Sequence, residues 1–98
     1  MRFIGKKVLI RSYGAGVFFG TLESQQFTQS GKVVVLSNSR RIHSWEGAAS
    51  LSQVSREGIK KGSVAMIEPE KEIVNVVETT PLSDAAIHNL ENQPVWKV

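Results

Sequence analysis

Apolar residues occur in short runs separated by polar turns through most of the chain, a pattern that predicts β-structure. The first three runs are KKVLIRSY (6–13), VFFGTLES (17–24) and KVVVLSNS (32–39). GAG (14–16) joins the first two, and its glycines permit the tight reversal of a hairpin. Gly20 inside the second run predicts a bulge or a close backbone approach. The polar segment QQFTQSGK (25–32) predicts the next turn.

The third run continues into RRIHSW (40–45), after Asn38 and Ser39, which predict a hairpin turn or a bulge. If the segment stays extended, alternate side chains fall on opposite faces, with Arg41, His43 and Trp45 on one and Arg40, Ile42 and Ser44 on the other. VAMIEP (64–69) and EIVNVVET (72–79) predict two further strands.

Two segments carry helix signals instead. SLSQVSREG (50–58) begins with Ser50 as a candidate N-cap, with Gln53 as its capping-box partner, and ends at Gly58. TPLSDAAIHNLENQ (80–93) has Thr80 as a candidate cap, followed by Pro81 and an apolar stripe, and Pro94 prevents its continuation. Trp96, after that proline, is expected to pack onto the domain.

The resulting prediction is one domain, 1–98, of the α+β class. It has about five to six short antiparallel strands in a curved sheet or partial barrel, with one short helix and one longer C-terminal helix. No stretch approaches the roughly 18 apolar residues of a membrane span, and the N-terminal segment lacks the apolar region of a signal peptide. We therefore expect a cytoplasmic protein with no membrane partner.

Charge divides unevenly along the chain, although the net value is only +3. Residues 1–62 carry ten Lys and Arg against three Glu, a balance of +7, and residues 63–98 carry two Lys against six Asp and Glu, a balance of −4. The first part is suited to an anionic ligand, while a mixed solvated surface is an equally simple interpretation.

The sequence offers little for catalysis or metal binding. It has no cysteine, and its two histidines, His43 and His88, lack any zinc-site spacing. On an extended strand His43 and Ser44 point to opposite faces, so they cannot act as a nucleophile pair, and no GxSxG elbow is present. Glu68, Glu70 and Glu72 read as an exposed acidic edge. We expect no enzyme activity, no metal and no cofactor.

The cluster at 40–45 favours binding chemistry. Arg40 and Arg41 present planar donor forks suited to phosphate, and the indole of Trp45 offers a face on which a base can stack. His43 lies between them, and Arg11 and Tyr13, at the end of the first strand, are further candidates for the same site. The alternatives are that Trp45 fills the core, that the arginines and Arg11 point into solvent, and that Tyr13 is surface packing.

LIRSYGAGVFFGTL and VVLSNSRRIHSWEGAASLSQVSREG together resemble a family of small bacteriophage and prophage proteins that is often described only as a domain of unknown function. The matching positions are Arg11, Ser12, Gly16 and Val17, then Asn38, Arg40, Arg41, Ile42, Trp45, Gly47 and Ala48. Aromatic residues are common in that family where this chain has His43 and Ser44.

That family is in turn similar to phage sponge proteins that sequester the cyclic dinucleotide signals of the bacterial CBASS immune system. The resemblance implies a non-enzymatic homo-oligomer, a dimer or a tetramer, that acts in the host cytoplasm and holds its ligand between subunits. Two alternatives stay open. One is a module for single-stranded nucleic acid, whose affinity would fall steeply with salt. The other is a structural or protein-inhibiting phage protein.

Overall fold

A computed structural model describes residues 2–98, which form five β-strands and two α-helices. In chain order the elements are β1 (Lys7–Ser12), β2 (Gly16–Thr28), β3 (Gly31–Glu46), α1 (Leu51–Glu57), β4 (Lys61–Val64), β5 (Glu68–Pro81) and α2 (Asp84–Glu91). The predicted α+β class is confirmed. Both helices are short, since α2 has eight residues and α1 has seven.

The strands form one antiparallel sheet in the order β2-β1-β5-β3-β4, and β2 also pairs with β3. This last pairing closes β1, β2, β3 and β5 into a ring of hydrogen bonds, so the curved sheet is a small barrel. β4 lies outside the ring as an added strand on β3.

Two apolar clusters lie on the two faces of the barrel wall. The inner cluster takes residues from all four strands of the ring, namely Val8, Ile10, Phe18, Leu22, Val34, Leu36, Ile73 and Val76. The outer cluster lies between the wall and the helices and consists of Leu9, Phe19, Ile42, Val54, Ile59, Val64 and Leu90. Because consecutive strand residues point to opposite faces, β1 is buried on both sides, which explains its uninterrupted apolar run.

The long strands bend at irregularities. The pairing of β2 with β3 shifts register after Phe19, where Asn38 adopts a positive φ of 50°. Gly20 lies against this bulge, and a Cβ there would be 3.0 Å from the Ser37 carbonyl oxygen. The predicted close approach at Gly20 is confirmed. Of the two alternatives predicted at Asn38 and Ser39, the bulge is confirmed and the hairpin turn was wrong, because β3 continues through both residues.

Several predicted boundaries were wrong. β2 extends to Thr28, so the turn is shorter than residues 25–32, and the fourth strand ends at Val64 instead of starting there. The last helix is capped by Ser83, whose hydroxyl accepts from the Ala86 amide, because Thr80 and Pro81 still belong to β5. Ser50 caps α1 as predicted. Within residues 2–98 no helix is long and apolar enough to cross a membrane.

Candidate functional site

Arg41 stands at one end of the barrel, directly opposite Phe18 of β2. Its guanidinium carbon is 5.6 Å from the centre of the Phe18 ring, a cation–π distance. A Cβ on Gly16 would lie 3.3 Å from Nη2 of Arg41, so the glycine leaves the space that the guanidinium occupies. The Arg41 side chain is exposed and forms no ion pair within residues 2–98. Its donors therefore remain available to an anion.

A shallow pocket of about 240 Å³ surrounds this guanidinium. We call it the Arg41 pocket; its lining residues are Phe18, Ser39, Arg41, His43, Ala65, Met66, Glu68 and Lys71. Lys71 reaches it because it lies opposite Leu36 in the register of β3 with β5. Among the charged residues of the lining, Arg41 and Lys71 are cationic and Glu68 is anionic, a balance of +1. The pocket is suited to an anionic group.

His43 extends this pocket towards an aromatic surface. Its imidazole lies against the indole of Trp96, with ring centroids 5.1 Å apart and planes inclined by 51°. The backbone of Trp96 is fixed by an amide that donates to the Val64 carbonyl at 2.8 Å. Trp96 remains 57% exposed, so the expectation that it packs down onto the domain was wrong. The outer half of the indole is free to contact a ligand.

Arg40, in contrast, has a structural role. Its side chain is only 5% exposed, and all three guanidinium nitrogens donate to backbone carbonyls. The acceptors are those of Ala65 at 2.7 Å, Gln93 at 2.9 Å, Val64 at 3.2 Å, Leu90 at 3.3 Å and Pro94 at 3.4 Å. Burial lowers the pKa of Arg40, but an arginine remains charged at neutral pH. The prediction that Arg40 binds a ligand is corrected, because its donors are already used to join the end of β4 to the end of α2.

Trp45 was predicted to share a face with Arg41 and His43, and it does not. Ile42 pairs with Val64 and Ser44 with Ser63, so His43 is the extra residue of a bulge. The bulge reverses the alternation and turns Trp45 to the face of Ile42. There its half-buried indole packs against the outer cluster and its Nε1 donates to the Ala48 carbonyl at 3.3 Å. Trp45 is part of the core, not of the pocket.

Arg11 and Tyr13 also lie outside the Arg41 pocket. Arg11 pairs with Glu78 of the neighbouring β5, and both side chains are about half exposed. It lies opposite Val17, which packs on the outer cluster, so it projects from the outer surface. Tyr13 is 75% exposed at the end of β1. Of the six predicted ligand-binding residues, the structure brings together only Arg41 and His43.

The structure adds Lys71, Met66 and Trp96, which the sequence did not indicate as site residues. Lys71 enters the pocket through the register of β3 with β5, and Met66 lies there because the connection between β4 and β5 is short. Neither relationship can be read from the sequence. Trp96 carried a visible signal, because it is an aromatic residue two positions after Pro94, which ends the helical pattern. Within residues 2–98 no group of His, Asp and Glu is arranged to hold a metal ion.

These features define a small α+β domain with a closed four-stranded barrel and a basic, aromatic pocket at one end. Residues 5–90 match a family described as Domain of unknown function (DUF6948). Because the match covers most of the chain, the protein belongs to that family. No curated protein and no solved structure matches the chain.

Proposed function

We propose that this protein is a non-enzymatic nucleotide-binding protein whose ligand occupies the Arg41 pocket. The observation that carries the proposal is the juxtaposition of the Arg41 guanidinium, which has no ion-pair partner among residues 2–98, and the exposed His43–Trp96 ring pair. Arginine matches the geometry of phosphate oxygens, and a base that stacks on an aromatic side chain gains about 1–3 kcal/mol. A ligand with a phosphate and a flat ring uses both features.

The size of the pocket favours a ligand shared by two copies of the chain. Its 240 Å³ falls below the roughly 300–1,000 Å³ of pockets that enclose a whole drug-sized ligand. Each copy contributes a balance of +1, so a two-fold pair presents +2 to the two phosphates of a cyclic dinucleotide. A symmetric interface also places identical residues on both halves of such a ligand. The protein then acts as a homo-oligomer, a dimer or a tetramer.

In this proposal the protein sequesters a cyclic dinucleotide signal and releases it unchanged. Such a protein, encoded by a phage and present in the host cytoplasm, withholds the signal from the immune effector. The sequence resemblance to phage and prophage proteins supports this biological setting, and the chemistry of the Arg41 pocket supports the ligand class.

The test is a thermal-shift and calorimetry series with cyclic dinucleotides, cyclic trinucleotides, linear nucleotides and a short poly-dT. A ligand at 100 times its Kd should stabilise the fold by about 2.7 kcal/mol, which is a shift of several degrees for a domain of this size. We expect one cyclic dinucleotide per two chains, recovered intact after binding.

Arg41→Ala should abolish the shift, and Arg11→Ala is the matched control, because it removes a surface arginine outside the pocket. A response only to poly-dT that is lost in salt would replace the proposal with single-stranded nucleic-acid binding. No response to any member of the series would overturn nucleotide binding and leave a protein partner as the alternative.

A further inference from the structure

A second concavity lies on the opposite face of β3 from the Arg41 pocket. It has a volume of about 280 Å³ and separates α2 from the outer face of β1, β2 and β3. We call it the α2 cleft; Lys7, Phe19, Arg40, Leu82, Ile87 and Glu91 line it. None of these six residues lines the Arg41 pocket. Any ligand of the cleft is therefore independent of the proposed nucleotide site.

The walls of the α2 cleft are largely apolar. Phe19 forms the buried floor, and Leu82 and Ile87 line the α2 side while remaining only half-buried. Ile67, 55% exposed, faces them from the connection between β4 and β5. A concave site with apolar walls and a few polar groups is the usual form of a small-molecule site. This cleft is suited to an apolar body of modest size.

The charged residues of the cleft indicate what polar group the ligand carries beside its apolar body. Lys7 and Arg40 are cationic and Glu91 is anionic, a balance of +1. The guanidinium of Arg40 donates to five carbonyls and has no carboxylate partner within residues 2–98, so no formal negative charge is paired with it. A single negative charge in the cleft is therefore favoured by the local electrostatics.

Lys7 provides the direct contact. Its Nζ lies 2.5 Å from Oε2 of Glu91, and both side chains are more than 40% exposed, so this pair can open at little cost. A carboxylate that enters the cleft can replace Glu91 as the partner of Lys7. Glu91 then turns into solvent, where water hydrates it. Arg40, whose donors are occupied, contributes through its charge alone.

We propose that the α2 cleft binds a small monocarboxylate with a compact apolar body. The body lies among Phe19, Leu82 and Ile87, and the carboxylate pairs with Lys7.

The experiment is an NMR titration of the ¹⁵N-labelled full chain with cyclohexanecarboxylate, and with cyclohexanecarboxamide as the neutral counterpart of equal shape. We expect saturable shifts at the amides of Phe19, Ile87 and Glu91. The carboxylate should bind more tightly than the amide by about three- to tenfold, because only it gains a charge-assisted contact with Lys7.

Two variants separate the contributions. Lys7→Gln should remove the preference for the carboxylate while the amide binds as before, and the exposed position of Lys7 makes it tolerant of this change. Ile87→Trp should fill the cleft and abolish binding of both probes. Its folding is checked from the dispersion of the amide spectrum, and Lys71→Gln in the Arg41 pocket is the control that should change neither probe.

The proposal is overturned if neither probe gives saturable shifts, if the amide binds as tightly as the carboxylate, or if the shifts map to Arg41 and His43. Failure of nucleotide binding leaves these outcomes unchanged, because the two sites share none of the residues substituted.

Discussion

Arg40 and Arg41 are consecutive residues of β3, and their guanidinium groups lie on opposite sides of the barrel wall. Arg40 pairs across the strands with Phe19 of the outer cluster, and Arg41 pairs with Phe18 of the inner cluster. The first is buried among carbonyls and the second is exposed beside an open pocket. Two adjacent arginines therefore have different roles: Arg40 stabilises the fold through buried hydrogen bonds, and Arg41 is a candidate ligand-binding group.

Substituting the two arginines should separate stability from binding. Arg40→Ala removes the guanidinium that donates to five carbonyls, and although those of Val64 and Leu90 keep a backbone donor, we expect a loss of about 3 kcal/mol in the free energy of unfolding. Arg41→Ala should change it by no more than about 1 kcal/mol, the contribution of an exposed cation–π contact. Urea denaturation followed by circular dichroism measures both, and equal losses would contradict the assignment.

Substitution of the two tryptophans should likewise separate an effect on stability, at Trp45, from an effect on ligand affinity, at Trp96. Trp45→Ala removes an indole that packs on the outer cluster, at an expected cost of about 2 kcal/mol or more. Trp96→Ala should cost less than about 1 kcal/mol, because its ring is mostly exposed and its amide bond to Val64 remains. In the proposed function Trp96→Ala weakens nucleotide affinity about tenfold. Calorimetry of Trp45→Phe, which keeps an aromatic core residue, should show unchanged affinity.

The backbone at Gly58 passes against the side chain of Asn89, which hydrogen-bonds the neighbouring Ile59. The φ of Gly58 is 81°, and a Cβ there would lie 2.2 Å from Oδ1 of Asn89, which bonds the Ile59 amide at 2.9 Å. Gly14→Ala is the matched control, because its φ of 91° is similar but, among residues 2–98, no heavy atom beyond its two chain neighbours lies within 4 Å of the added Cβ. The control should cost about 1 kcal/mol from backbone strain alone, and Gly58→Ala at least about 2 kcal/mol. Similar melting temperatures for the two variants would show that Asn89 moves aside freely.

Substitution of Arg11 should have little effect on either the free energy of unfolding or ligand affinity. Its pair with Glu78 is half exposed, and such pairs contribute about 0.2–1 kcal/mol. A double-mutant cycle of Arg11→Ala and Glu78→Ala should return a coupling free energy in this range, and neither variant should alter ligand affinity. Loss of binding in Arg11→Ala would place the ligand on the outer surface of the barrel instead.

The strand content of the chain was predictable, since runs such as KVVVLSNS have strong local β signals. Closure of the ring was not predictable, because besides the β2–β3 pairing it requires β1 to pair with β5, and most of the chain separates these two strands. The start of α2 was misplaced for a related reason. Thr80 and Pro81 have good capping chemistry, but their pairing with Leu9 and Val8 keeps them in β5, so tertiary contacts override the local signal.

The candidate site was half predictable. The cluster RRIHSW was recognised from its residue types, but strict alternation placed Trp45 in the site and gave no reason to separate the roles of the two arginines. A single extra residue at His43 moves Trp45 to the other face, and no feature of the local sequence announces such a bulge. Arg40 is buried because carbonyls from two distant segments converge on it, which only the folded chain reveals.

Closure of the barrel also sets an order for folding. The β2–β3 hairpin reverses within a few residues, whereas Arg11 and Glu78, which join β1 to β5, are 67 positions apart. Contacts between distant segments require a large loss of chain entropy before they stabilise anything, so the hairpin should form early and the β1–β5 seam late. Substitutions in the hairpin should slow refolding, and those at the seam should chiefly accelerate unfolding.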